Sequence, residues 1–263
     1  MSDILEGILA RTRRSNVRRA RRAPAPPAPV GRADAALEAL RRVDVPRVIA
    51  EVKFKSPSAG RIRERRAGEA VRLAHAYVDG GAAAVSVLAD GPGFGGSAMD
   101  VRRVASEVSA PVLFKGFVLD ERQIDLAARV GASMVLLLVR AMPKAELHRL
   151  VAYANALGVA PLVEAADDAE LEDALATDAA LVGVNARDLR TFRVDPDAAA
   201  RQLEAIPSDR VAIYMSGIRS AEDFARVAAG RVDAMLIGEG LAREGDPTST
   251  LRGWFAALAR ASA

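Results

Sequence analysis

The sequence contains no cysteine. That excludes a disulfide framework, thiolate chemistry and Cys-ligated metal sites. Histidine is almost as scarce, and the two present, His75 and His148, fall within helical patterns rather than at strand ends. No metal site and no cofactor is expected. No apolar run approaches the roughly 18 residues of a membrane span. The arginines near the N-terminus are not followed by the apolar stretch of a signal peptide. These absences predict a soluble, cytoplasmic protein with no membrane partner.

What remains is an ordinary globular composition. The 263 residues are 51% hydrophobic and 27% charged, enough for one large α/β domain or two small ones with a sizeable core. The net charge is only +3, and a pI near 9.6 owes much to residues 11–22, a run dense in arginine. Such a run can meet nucleic acid. No aromatics are interleaved with it and no groove-reading motif follows, so a solvated basic helix is the simpler reading and no nucleic-acid partner is expected. A phosphorylated substrate would also benefit from the positive field.

The chain divides into two parts. Residues 1–46 form an expected N-terminal helical extension packed on the main domain: an amphipathic helix over 2–22 with Ile4, Leu5, Ile8 and Leu9 on one side, a stiff proline-rich connector at 23–31, and a short helix near 33–42. Residues 47–263 then alternate strand and helix patterns. Strands are predicted at 48–54, 82–90, 111–117, 134–140, 160–165, 181–186, 210–217 and 234–240. Met134 to Val139 is an unbroken apolar run, as in strands covered on both faces. Alanine-rich helices fill the gaps, with start signals at Asp120, Ser220 and Asp246-Pro247. Eight βα units in this length predict a (β/α)8 TIM barrel, an α/β fold. No GxGxxG follows the first strand, which weakens a dinucleotide-binding sheet.

In such a barrel the chemistry gathers at the C-terminal ends of the strands. The first strand carries Glu51 and Lys53 at spacing i, i+2, so both point to one face. Charges on a buried face are costly unless paired or used. The second strand runs into the glycine-rich stretch Gly91 to Ser97, read as a mobile loop. The third holds Lys115 within apolar sequence, the fifth ends on Glu164, and the sixth on Asn185-Ala186-Arg187. Two lysines, two glutamates, an asparagine and an arginine from four strands predict acid and base roles whose pKa values burial pushes apart. Ser216-Gly217 and Gly238-x-Gly240 leave backbone N–H groups open to a phosphate, with Ser56 and Ser58 as hydroxyl donors.

These residues resemble the indole-3-glycerol-phosphate synthase family of tryptophan biosynthesis. The resemblance runs along nearly the whole chain. It is carried by Ile49-Ala50-Glu51-Val52-Lys53-x-x-Ser56-Pro57-Ser58-x-Gly60, Ser86-Val87-Leu88, Phe94-Gly95-Gly96-Ser97, Leu162-Val163-Glu164, Asn185-x-Arg187-Asp188-Leu189-x-Thr191-Phe192 and Ser216-Gly217-Ile218. It implies a carboxy-lyase that closes the ring of 1-(2-carboxyphenylamino)-1-deoxyribulose 5-phosphate with loss of CO2 and water, without metal or cofactor; a monomer is expected, with room for partner enzymes of the pathway. By position, Lys115 would be the general acid, Glu164 and Glu51 the proton-transfer carboxylates, and Lys53 a contact to the anionic groups. Asn185 and Arg187 would hold the anthranilate side, Phe94 and Phe117 would flank its ring, and Ser56, Ser216, Gly217, Gly238 and Gly240 would hold the phosphate.

Two positions depart from the family pattern. Gly116 stands where an aspartate is usual, and Met215 where a glutamate is usual. Both changes remove a carboxylate near Lys115. Ring closure, related chemistry on another aryl-amino sugar phosphate, and simple binding of a phosphorylated ligand all remain compatible with that mix. The joint presence of Lys53, Lys115, Glu51 and Glu164 favours the first.

Overall fold

In the computed structural model, eight parallel strands close into a barrel: β1 (Arg47–Val52), β2 (Ala84–Leu88), β3 (Val112–Lys115), β4 (Met134–Leu138), β5 (Ala160–Ala165), β6 (Leu181–Asn185), β7 (Val211–Met215) and β8 (Ala234–Ile237). Each strand pairs with its sequence neighbours, and β1 closes the ring against β8. The structure describes residues 3–20, 32–56, 60–188 and 193–261. The proline-rich connector, Ser58 and residues 189–192 of the motif after β6 lie outside them.

Two helices precede the barrel, α1 (Asp3–Ala20) and α2 (Ala33–Leu40). The longer helices between strands are α3 (Glu69–Asp79), α4 (Ala98–Glu107), α5 (Glu121–Arg129), α6 (Lys144–Ala156), α7 (Asp168–Leu175), α8 (Pro196–Glu204), α9 (Ala221–Ala228) and α10 (Pro247–Ala261). Short side chains start most of them. Ser97, Asp120, Asp167, Asp195 and Ser220 each accept a backbone N–H from the first turn, satisfying donors that the helix itself cannot. Gly131 and Gly158 leave α5 and α6 with φ of 87° and 72°, the left-handed conformation that a side chain would strain.

The barrel interior is stacked in layers. Alternation sends Val48, Ala50 and Val52 outward to the helices and Ile49 and Glu51 inward. The pairing register then places side chains from alternate strands at one height, four to a layer. Ile49, Leu113, Leu162 and Ile213 form one apolar layer, and Ser86, Leu136, Gly183 and Leu236 the next. Above them come Glu51, Lys115, Glu164 and Met215. Apolar filler therefore gives way to charge within one residue step along the axis.

The N-terminal helices serve both ends of this interior. Ala36 and Leu40 of α2 are fully buried in the same cluster as the N-terminal strand residues Ala84, Leu181, Val211 and Ala234. From α1, Leu9 joins the cluster beside Leu138 and Ala141, while Leu5 and Ile8 reach the cavity at the opposite mouth.

Three local differences from the sequence reading have clear causes. The glycine-rich stretch after β2 includes a one-turn helix, Gly91–Phe94, because Asp90 accepts the Gly93 N–H at 2.8 Å. The last strand stops at Ile237 instead of continuing to Gly240, since Glu239–Ala242 forms another single turn. Met215 does not stand at the active-site wall. It is 1% exposed and fills the space over Gly183, where a Cβ would lie 2.5 Å from the Met215 sulfur. Gly183→Ala should therefore overpack the barrel and cost about 1–3 kcal/mol in urea unfolding. Adding Met215→Ala to that variant should recover part of the loss.

Candidate active site

The cavity at the C-terminal mouth gathers side chains from all eight strands or the loops that follow them, and from α1. Its floor is the charged layer. Glu51, 2% exposed, lies between two ammoniums: Lys115 Nζ is 2.9 Å from Oε2 and Lys53 Nζ is 3.4 Å from Oε1. Gly238 makes this arrangement possible, for a Cβ there would sit 2.6 Å from Glu51 Oε1. Burial alone would raise the pKa of Glu51. Lys115 and Lys53 outweigh it and lower the value from 4.5 to about 2. Burial likewise works against the charged form of Lys115, but Glu51 and then Glu164 shift its pKa upward. Carboxylate and ammonium keep each other ionised.

Glu164 differs in environment and in direction. It is buried, and that desolvation raises its pKa, with Lys115 and the Asn185 hydrogen bond only partly opposing it. Asn185 Nδ2 donates to Glu164 Oε1 at 2.8 Å, while Asn185 Oδ1 accepts the Arg187 N–H at 3.0 Å. The amide thus orients Glu164 and is itself oriented by the backbone of the next loop. The pKa values of two carboxyls in one layer are thus driven apart, Glu51 downward and Glu164 upward, the kind of separation on which acid–base pairs rely.

Two sides of the cavity have distinct characters. Phe94 and Phe117 stand with ring centroids 6.1 Å apart at an interplanar angle of 36°, and Lys53 Nζ lies 5.9 Å from the Phe94 centroid. Leu5 and Ile8 of α1 extend this apolar wall. Elsewhere the wall is made by Ser56, Ser216, Gly217 and Gly238. Ser216 has φ of 74°, the only non-glycine residue with positive φ among the described residues, and Gly217 follows with 88°. Consecutive left-handed residues after β7 are a strained feature of the kind found at ligand sites.

Most of the residues anticipated from the sequence line this one cavity: Glu51, Lys53, Ser56, Phe94, Lys115, Phe117, Glu164, Asn185, Arg187, Ser216, Gly217 and Gly238. Gly240 does not. It is buried in the single turn after β8, where a Cβ would lie 2.6 Å from the Ile218 carbonyl oxygen, so its small size serves packing between loops. Of the two departures, Gly116 is on the wall and Met215 lies below it. The sequence reading missed Leu5, Ile8, Arg219 and Glu239 as wall residues. Arg219 directly follows Ser216-Gly217-Ile218 and Glu239 lies inside Gly238-x-Gly240, both segments already singled out, but nothing in α1 alone indicated which surface it covers. Among the described residues, no group of three or more His, Asp or Glu side chains is placed to hold a metal ion. No helix among them is long and apolar enough to cross a membrane.

The closed parallel barrel and its buried acid–base layer define a (β/α)8-barrel enzyme. The model of the indole-3-glycerol phosphate synthase family matches residues 10–253, and this chain belongs to that family. Proteins named indole-3-glycerol phosphate synthase are 42% identical in Nocardioides sp. over 205 residues, covering 78% of each chain, and 44% identical in Rhodopirellula baltica over 209 residues, covering 80% of each. An indole-3-glycerol phosphate synthase 2 of Streptomyces coelicolor is 45% identical, covering 78% of this chain and 79% of that one. Among solved structures, 3-hexulose-6-phosphate synthase from Salmonella typhimurium aligns over 81% of this chain and 99% of its own with a TM-score of 0.64. At 16% identity that likeness concerns the fold alone.

The opposed environments of the two carboxyls have measurable consequences. Glu51 has its folded pKa below 4.5, so its contribution to stability is fully present above pH 4.5 and is lost as pH falls through about 2. Glu51→Gln strands two ammoniums and should cost on the order of 3–5 kcal/mol in urea unfolding at neutral pH, a deficit that shrinks below pH 4.5. Glu164 has its folded pKa raised, so ionising it opposes folding as pH rises through that value. Glu164→Gln, which keeps an acceptor for Asn185, should be neutral or stabilising at neutral pH. Equal losses in the two variants would contradict this assignment.

Proposed function

We propose that this protein closes the indole ring of 1-(2-carboxyphenylamino)-1-deoxyribulose 5-phosphate, releasing CO2 and water and leaving indole-3-glycerol phosphate. The observation that carries the reading is the layer of Glu51, Lys115 and Glu164 beneath an aromatic wall, in a chain of this family. The substrate's phosphate would lie at Ser56, Ser216, Gly217 and Gly238, a small-residue region suited to close backbone approach. Its carboxyphenyl ring would lie between Phe94, Phe117 and the apolar side chains of α1. Asn185 and Arg187 would hold its carboxylate side, a guanidinium being a good planar partner for a carboxylate.

Chemistry begins at the ribulose carbonyl. The ring carbon bearing the carboxylate attacks the carbonyl carbon, and Lys115 donates its proton to the oxygen, which becomes a hydroxyl. The carboxylate leaves as CO2, and its bonding electrons restore the aromatic ring. The hydroxyl then departs as water on protonation, and loss of a proton from the new five-membered ring completes the indole. Glu164, with its raised pKa, suits both proton movements at dehydration. Glu51 acts first as counter-ion. It holds Lys115 and Lys53 in place and, ionised itself at neutral pH, has no proton to donate.

Met215 and Gly116 fit this scheme. With Met215 folded down over Gly183 and no side chain at Gly116, the charged layer works with two carboxyls, one clamped and one exchangeable. No step requires a third.

The test is direct. Purified protein incubated with the carboxyphenylamino-deoxyribulose phosphate should develop indole fluorescence, and Lys115→Ala should lower kcat by about 10²- to 10⁴-fold. Glu164→Gln should lower kcat by a similar factor while leaving the fold intact. Absence of product from the unaltered protein at high enzyme concentration would overturn the reading.

A further inference from the structure

One buried side chain outside the cavity connects two of its walls. Gln123 lies in the first turn of α5, is 8% exposed and does not line the cavity. Its amide makes three hydrogen bonds. Nε2 donates to the Phe117 carbonyl at 2.9 Å, while Oε1 accepts the Leu119 N–H at 2.9 Å and Asn16 Nδ2 at 2.8 Å. The orientation of the amide is fixed by this set, because a carbonyl oxygen needs a donor and a backbone N–H needs an acceptor. Asn16 belongs to α1, whose first turns bring Leu5 and Ile8 to the cavity. A second bond, from Arg13 to the Ala141 carbonyl at 3.3 Å, anchors the same part of α1 to the segment after β4.

We propose that Gln123 is a positioning residue for substrate binding, locking the α1 cover and the Phe117 segment into one unit that fixes the width of the slot for the substrate's aromatic ring. Phe117 is the inner surface of that slot and Leu5 and Ile8 its cover, yet they belong to elements about a hundred residues apart in sequence. Apolar contact between them is non-directional and leaves their spacing adjustable. An amide bonded to both sets it. The consequence belongs to binding rather than bond-making, since the hydrogen bonds of Gln123 go to Asn16, Phe117 and Leu119 and not to Glu51, Lys53, Lys115 or Glu164.

The proposal takes its substrate from the function proposed above, so its test has one arm that needs no turnover. Asn16→Ala and Gln123→Ala should each speed amide hydrogen exchange in α1 and raise KM for the carboxyphenylamino sugar phosphate by about five- to tenfold, with kcat changed by less than about twofold. Gln123→Glu separates the two bonds. It still accepts from Asn16 and Leu119 but sets an oxygen against the Phe117 carbonyl, so α1 should stay protected while KM rises. Asn16→Ala, on the partly exposed helix outside the barrel, covers the case in which Gln123→Ala fails to fold. Should the unaltered protein turn nothing over, the function reading falls. The same comparison is then read as Kd from the fluorescence of the carboxyphenylamine ring. The coupling is overturned if α1 exchange is unchanged in Asn16→Ala, or if α1 loosens with no change in KM or Kd.

Discussion

The contact between Glu51 and Lys115 organises the rest of this protein. An isolated charge at that depth would neutralise itself. At 2.9 Å in a barrel interior, each instead keeps the other ionised, and Lys53 reinforces the carboxylate from the far side. The surroundings are built to permit this contact. Gly238 has no side chain because one would occupy the place of a Glu51 oxygen, and apart from Ser86 the two layers beneath are apolar, so no second charge competes from below. The result is an ammonium held in its charged form next to a second carboxyl whose pKa burial raises.

Burial has opposite effects on the two glutamates. Both are almost wholly removed from water, and for both desolvation is the largest influence on the pKa. Glu51 has two cations close by and ends near 2, whereas Glu164 has an amide as its bonded partner and ends above its ordinary value. Identical residue types thus acquire different duties from their neighbours. The same logic explains why Met215 is tolerated in this layer: a thioether needs no partner, and Gly183 provides the space it fills.

The N-terminal helices extend the barrel's economy of function to its two mouths. The short one fills the N-terminal end with Ala36 and Leu40, where only stability is at stake. The long one covers the C-terminal mouth, where Leu5 and Ile8 line the cavity. Its attachment through Asn16 is polar and directional, a type of contact that specifies position more than it contributes stability.

Much of this was written locally in the chain. Period-2 and period-3.6 patterns, together with the caps, located every barrel strand and the helices between them, because burial on both faces leaves near-continuous apolar runs. Glu51, Lys53, Lys115 and Glu164 were legible for the converse reason: charge inside such runs is conspicuous. Boundaries were less legible. Gly91–Phe94 and Glu239–Ala242 each form a single helical turn, too short to carry a periodicity of its own. What only the tertiary structure decided is which side chains share a height. The barrel's register places Glu51, Lys115, Glu164 and Met215 in one layer, sends Met215 down over Gly183, keeps Gly240 away from the cavity, and brings Asn16 to Gln123. These relations depend on strand stagger and on contacts between residues far apart in sequence, and no local pattern encodes them.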